Sequence, residues 1–375
     1  MPNKYLKAKR SLLIFFPIFL LLMGCEFKDI DKDVFVAMIA IDKSDEEDKP
    51  YKVTLKLYEP TGSFKQATKP EYSYLTQTGE TISEAIRILE SYSDKKLEFG
   101  HSKLIVIGED LVLEDGKNGE ILDFLIRRPD IQMISWISVG RPTAEEIIKT
   151  VPQGETAAYP ELFNYFDHNG TESQYIVTTY LYILRRNMKE EGIDTVVPII
   201  EISHENSHFI INKSYLLANR KKPHELNTLN TSLFNMLTNN TNYLDLVINE
   251  DGEHFIAKID TFKSKYNVNV QNNENIKIDI EISLYGYISE SIKPLKNKEL
   301  AHYNELLKRE SEKKITEFFN DMIKTGYDPL GFGVNYKSKT LHNKRMSNTE
   351  WKEAYKNAEV NVTIKPGLKS TGSIQ

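Results

Sequence analysis

Residues 276–284 read IKIDIEISL, and residues 299–324 read ELAHYNELLKRESEKKITEFFNDMIK. In the first stretch Ile276, Ile278, Ile280, Ile282 and Leu284 alternate with Lys277, Asp279, Glu281 and Ser283. A strict period of two is the mark of a strand with one buried and one solvated face. In the second, Leu300, Tyr303, Leu307, Ile315, Phe318, Phe319, Met322 and Ile323 recur at helical spacing around a charged middle, and Gly326 stops the run. That is an amphipathic helix with one apolar stripe. A one-faced strand followed by a one-striped helix predicts a C-terminal unit in which a long helix packs on a mainly antiparallel sheet.

The surroundings extend this picture. Residues 209–218, 255–262 and 266–270 are strand-like, and an Asn-rich stretch, 227–249, separates the first two. A short helix beginning at Asn348 carries Trp351 and Tyr355, residues 360–364 form a closing strand, and 367–375 read as a tail. Toward the N-terminus the text changes to alternating strands and helices. Residues 34–41 (VFVAMIAI) are a buried strand, 42–50 a charged hairpin loop, and Val53, Leu55 and Leu57 a half-buried partner strand. Residues 61–70 read as a loop. Thr81-Ile-Ser-Glu84 and Thr143-Ala-Glu-Glu146 fit capping boxes that open helices. Residues 104–108 (LIVIG) and 131–139 read as buried strands, with a helix between them closed by Pro129. Helical patterns cover 160–166 and 176–188, with Gly192 as C-cap, and 196–202 is extended, with Pro198 confining it to an edge.

The fold class expected is therefore α+β, mixed α/β and multidomain. The divisions are 1–24 as an export signal, 25–200 as an α/β domain, 201–265 as a small strand-rich middle domain, 266–366 as the C-terminal domain and 367–375 as tail.

The chain has 375 residues, 48 Lys+Arg, 54 Asp+Glu and one cysteine. A hydrophobic share of 40% excludes wholesale disorder, and the acidic balance argues against nucleic acid as a partner. One cysteine makes no intramolecular disulfide and no zinc ribbon. Its position carries the information. Lys4, Lys7, Lys9 and Arg10 precede an apolar run, 11–23 (SLLIFFPIFLLLM), that ends in Leu22-Met23-Gly24-Cys25. A basic segment, a short apolar segment, a small residue and then cysteine resemble a bacterial lipobox. The expectation is cleavage between Gly24 and Cys25, with Cys25 becoming an S-diacylglyceryl, N-acylated residue that carries fatty-acyl chains such as palmitate. The removed segment holds four cations and no acid, so the charge of −6 becomes −10 over the remaining 351 residues.

No constellation supports catalysis, a cofactor or a metal. His204 and His208 stand four apart with no further ligand nearby, which suits a loop. Gly331-Phe-Gly333 lacks the lysine and strand–helix context of a phosphate loop and reads as a tight turn after the long helix. His101 reads as a turn-stabilising residue, and Arg127-Arg128-Pro129-Asp130 as a helix end whose cations suit the dipole.

Several segments together resemble the Ger(x)C lipoproteins, the C-subunits of spore germinant receptors. They are the lipobox at Cys25; Ile39-Ala-Ile-Asp42; FGHSKLIVIG at 99–108; FLIRRPD at 124–130; Lys213-Ser-Tyr-Leu-Leu217; and GYDPLGFG at 326–333 followed by Trp351. Where the family usually carries a Trp-Asp pair this chain has Glu26-Phe27-Lys28-Asp29, and the family's glycine near Lys213 is absent. The resemblance implies a non-enzymatic, lipid-anchored protein without cofactors on the outer face of the inner spore membrane. Its implied partners are an A-type membrane subunit with a large soluble domain and a B-type subunit resembling an amino-acid transporter. Two other classes compete. A lipoprotein solute-binding protein would show two similar α/β lobes, and an envelope hydrolase would need an acid/base pair or metal motif.

Overall fold

The computed structural model describes residues 32–58, 72–114, 117–152, 160–167, 170–203, 208–218, 221–272, 274–341 and 345–372. The expected signal and Cys25, the loop at 61–70, His204 and the last residues of the tail fall outside this set.

The chain opens with β1 (Asp33–Lys43), β2 (Tyr51–Tyr58) and β3 (Tyr72–Gly79), then α1 (Ile82–Glu90), β4 (Lys96–Glu98), a 3₁₀ turn (Phe99–His101) and β5 (Leu104–Gly108). Next come α2 (Glu109–Leu113), α3 (Lys117–Arg127), β6 (Trp136–Arg141), α4 (Ala144–Lys149), α5 (Glu161–Phe166), α6 (Leu181–Lys189) and β7 (Thr195–Ser203). β8 (His208–Leu217), β9 (His224–Leu226), α7 (Thr228–Leu237), β10 (Leu244–Glu250), β11 (Glu253–Gln271) and β12 (Asn275–Ser291) follow. α8 (Leu300–Thr325), α9 (Phe332–Lys339), α10 (Asn348–Tyr355) and β13 (Glu359–Leu368) complete it.

Two sheets organise these elements into the mixed α/β, multidomain architecture. The first runs β3-β2-β1-β5-β6-β7-β8-β9, with β4 also paired to β1. Its centre, β1-β5-β6-β7, is parallel and its flanks are antiparallel. Parallel central strands need cover on both faces. One face packs against Ile86, Leu111, Leu125 and Leu184 of α1, α2, α3 and α6. The other packs against Ile147, Ile148, Leu162 and Phe166 of α4 and α5. The second sheet runs β10-β11-β12-β13, antiparallel except for β12–β13.

The stretch that began the reading behaves as its pattern requires. Ile276, Ile278, Ile280, Ile282 and Leu284 on β12 are all buried, in one core with Tyr303, Leu307, Ile315, Phe318 and Met322 of α8. Leu306 joins them on the same stripe. Gly326 closes α8 in the left-handed conformation, φ 69°, which favours glycine. The capping threonines also act as expected. Thr81 Oγ1 accepts the Glu84 N–H at 3.1 Å, and Thr143 Oγ1 accepts the Glu146 N–H at 3.1 Å.

Three local expectations are corrected. The strand expected over 131–139 begins only at Trp136, because 131–135 turn back on hydrogen bonds from Ile131 N–H to Arg128 and from Ser135 N–H to Gln132. The helix expected over 176–188 begins at Leu181. The β-branched residues before it lie extended beside β6, where the Ile137 N–H donates to the Thr179 carbonyl and Trp136 bridges Tyr180. Pro198 does not mark an edge strand: β7 lies between β6 and β8. Pairing with β6 starts at Ile199, so at the proline the strand has a sheet neighbour on one side only. Residues 201–265 contribute to both sheets, β8 and β9 joining the first and β10 with part of β11 the second.

Candidate functional site

The motif segments gather at three identifiable places, and each owes its residues to a local requirement. The carboxyl ends of the central parallel strands are closed by the chain's own charges. Asp42, ending the Ile39-Ala-Ile-Asp42 strand, accepts the Ala144 and Glu145 N–H groups at 2.7 and 2.8 Å and so caps α4. Burial pushes its carboxyl up to about 6, against the pull of those two donors. Gly108 ends the LIVIG strand because a Cβ there would lie 2.2 Å from Asp42 Oδ1.

Beside it, Arg141 at the end of β6 donates to Glu109 and Glu225, each at 2.8 Å, and to Glu201. The Tyr215 hydroxyl donates to Glu109 at 2.7 Å. Burial acts to raise the Glu109 carboxyl, but the bonds from Arg141 and Tyr215 outweigh it and hold the group below its ordinary value. The carboxyl end of the strands, where open α/β sheets usually receive ligands, is thus filled by ion pairs.

The opposite end of the sheet is open. FGHSK at 99–103 and the helix end at 124–130 form one corner there. The Arg128 guanidinium lies 4.6 Å from the centre of the Phe99 ring and donates to Asp130 at 2.8 Å. Arg128 is therefore a stacking residue, while Arg127 pairs at the surface with Asp123 at 2.7 Å. His101 is exposed on the 3₁₀ turn, with its ring 4.5 Å from Phe35 and edge-on to it.

From this corner a cavity of about 540 Å³ opens, lined among others by His101, Ser102, Ile134, Trp136, Tyr180 and Tyr182. A second hollow of about 420 Å³ shares Tyr180 and Tyr182 with it. The Ser102 hydroxyl and the Trp136 indole N–H are buried without a hydrogen-bond partner. Both atoms are closed off from solvent, so they belong to the packed wall of the cavity rather than to its open surface. Sequence reasoning placed His101 at a turn but gave no hint of Ile134, Tyr180 and Tyr182. The one available signal was the β-branched run Val177-Thr178-Thr179, which disfavours the helix expected there.

GYDPLGFG builds a joint. The Asp328 carboxylate accepts the Phe332 and Gly333 N–H groups at 2.9 and 2.8 Å and caps α9. Asp194, just before β7, accepts the Asp328 N–H at 2.7 Å, and its own N–H donates to the Asp328 carbonyl at 2.9 Å. Burial pushes the Asp328 carboxyl up to about 7, with the neighbouring Asp194 charge acting in the same direction. Burial likewise raises Asp194. Lys221 sits 3.5 Å from the Tyr327 ring centre, and burial lowers its ammonium to about 8. Trp351 stacks between Tyr336 and Tyr355, with centroids at 5.2 and 6.0 Å. The GFG turn expected after the long helix is therefore the pin between the segment entering β7 and the C-terminal core.

Among the described residues no group of three or more His, Cys, Asp and Glu is arranged to hold a metal ion. Nor is any helix among them long and apolar enough to cross a membrane.

Comparison with known proteins covers both halves. Residues 26–202 match the family described as "Spore germination protein N-terminal domain", and 212–372 match "Spore germination B3/ GerAC like, C-terminal". The chain is similar to the spore germination protein GerQC of Bacillus cereus, 23% identical over 96% of this chain and 98% of that one. It is also similar to the putative spore germination protein YfkR of Bacillus subtilis (strain 168), 26% identical over 92% of each. In structure it resembles the crystal structure of the GerBC protein, with a TM-score of 0.57 at 12% identity, covering 88% of this chain and 97% of that one.

Proposed function

The chain belongs to the GerAC-like, or Ger(x)C, family of spore germination proteins, and on that premise we propose that it is the lipid-anchored C-subunit of a nutrient germinant receptor. It is exported, cleaved between Gly24 and Cys25, and held by acyl chains on Cys25 at the outer face of the inner spore membrane. There it works as a non-catalytic interaction module beside an A-type and a B-type membrane subunit, without a cofactor.

One observation carries this reading. The two family segments together span 26–372 with only a short gap, and the first begins at the residue immediately after Cys25. The physical setting agrees. The body left after cleavage has a charge of −10, which does not favour an anionic bilayer. Attachment therefore rests on the lipid, and each buried CH₂ contributes about 0.8 kcal/mol. The carboxyl ends of the central strands are filled by Asp42 and Arg141 rather than left open for a substrate. A mixed first sheet and a helix-backed second sheet also differ from the two similar lobes of a solute-binding lipoprotein.

The test is a deletion in a strain with no redundant receptor, with restoration of the gene as control. Spores lacking it lose their response to the cognate nutrients and regain it on complementation. Normal germination of the deletion strain on every nutrient sinks the reading.

A further inference from the structure

The open cavity lies at the amino end of the first sheet, and chain length ties that end to the anchor. This inference rests on the lipid at Cys25 proposed above. From Cys25 to Lys32 is a chain of seven residue steps, which spans at most about 25 Å. β1 starts directly afterwards at Asp33. Its first residues pair with β4, Asp33 opposite Lys96 and Phe35 opposite Glu98. Phe35 touches the His101 ring, and the Lys103 N–H donates to the Ala37 carbonyl at 3.1 Å. The tether therefore enters the fold beside His101, one of the residues lining the cavity, and a lipid at Cys25 holds that cavity within a short reach of the bilayer.

The cavity's rim exposes Ile134 and Tyr182 beside the polar residues His101, Lys103 and Gln132. Ile134 is 64% exposed and Tyr182 46%, and Tyr182 stacks on Tyr180 with centroids 5.6 Å apart. Behind them Trp136 and Ser102 are only 7% and 2% exposed and form the cavity's packed wall. Exposed apolar side chains at the mouth of a concave site are the pattern of an interaction site. A flat lipid surface does not fill a hollow of about 540 Å³, and the acidic body gives no charge attraction to anionic lipid.

We propose that this end of the first sheet is a docking socket for a loop of an integral membrane protein, one carrying an aromatic or branched aliphatic side chain. The apolar side chain sits between Ile134 and Tyr182.

The test uses the full-length protein in its own membrane. A benzophenone amino acid is placed at 134, at 182 or, as control, at Ile292, which is 75% exposed and follows β12 of the second sheet. After irradiation the adducts are identified by mass spectrometry. Adducts from 134 and 182, but not 292, to an extramembrane loop of an integral membrane protein support the proposal. Adducts confined to lipid, adducts to a second copy, or none beyond those at 292 overturn it.

Ile134→Asp in the Tyr182 probe strain lowers the yield of that adduct about ten-fold, the loss of one anchor worth about 1.4 kcal/mol. Fractionation of the same strains reads the anchor separately. Undiminished adduct from membrane-bound Ile134→Asp protein overturns the socket and leaves the anchor standing. Wild-type protein found in the soluble fraction removes the anchor, and the reach argument with it.

Discussion

Gly333→Ala separates two opposed effects at the joint. Gly333 is the second residue of α9, and on helix propensity alone alanine there is favourable by up to about 1 kcal/mol. Packing says the reverse. A Cβ at 333 would lie 2.6 Å from the Gly192 Cα on one side and 2.7 Å from the Trp351 indole nitrogen on the other. Neither neighbour gives way cheaply. Gly192 is held by its carbonyl, which accepts the Val334 N–H at 3.2 Å, and Trp351 is 1% exposed between two stacked tyrosines. Overpacking costs about 1–3 kcal/mol at each such contact. The net expectation is a loss of about 1–5 kcal/mol after the propensity gain is subtracted. At roughly 1–2 °C per kcal/mol for a chain of this size, the purified variant melts some 1–10 °C lower by far-UV circular dichroism. Gly252→Ala is the control: a Cβ there meets nothing within 4 Å, so only the cost of its positive φ remains, about 1–2 kcal/mol. An unchanged or raised melting temperature for Gly333→Ala refutes the close approach of Gly192 to Gly333, and with it the pinning role of GYDPLGFG.

Stability is expected to fall as pH rises from 5 to 7. Asp42 and Asp328 keep their protons in the fold up to about 6 and about 7, and Asp194 is raised too, whereas unfolded carboxyls have lost theirs by pH 5. The native state then binds more protons than the unfolded state, which gives a decline of up to about 1.4 kcal/mol per pH unit per group. Urea unfolding at the two pH values measures it, and equal stabilities contradict the burial of these carboxyls. Arg141→Met leaves Glu109, Glu201 and Glu225 facing one another. It costs about 1–3 kcal/mol, partly recovered in high salt, because the freed carboxylates are partly solvated and their repulsion is screened. A variant as stable as wild type at low salt contradicts the cluster's role.

Much of the fold was legible in the sequence because it rests on short-range patterns. The period-two face of β12 and the stripe of α8 each declare which side is buried. Thr81 and Thr143 announce their helices through the same side-chain caps that form in the structure. Positions settled by distant neighbours were less legible. Val177, Thr178 and Thr179 sit within a helical apolar rhythm yet lie extended, because β6 offers backbone partners that a local reading does not see. Pro198 looked like an edge marker because nothing local reveals where pairing with β6 begins. The docking cavity was hidden for the same reason. Ile134 reads as core by composition, but it precedes the strand and faces outward. The role of Asp328 was hidden as well, because its bond to Asp194 joins positions 134 apart in the chain.

The most direct test of a lipid-held receptor subunit is at Cys25. Cells making wild-type or Cys25→Ala protein are fed a clickable palmitate analogue, and membrane and soluble fractions are compared. The account predicts label on the wild-type protein, no label on Cys25→Ala, and release of that variant from the membrane pellet. A Cys25→Ala protein that still takes up label, or that stays in the membrane through its own N-terminus, contradicts it.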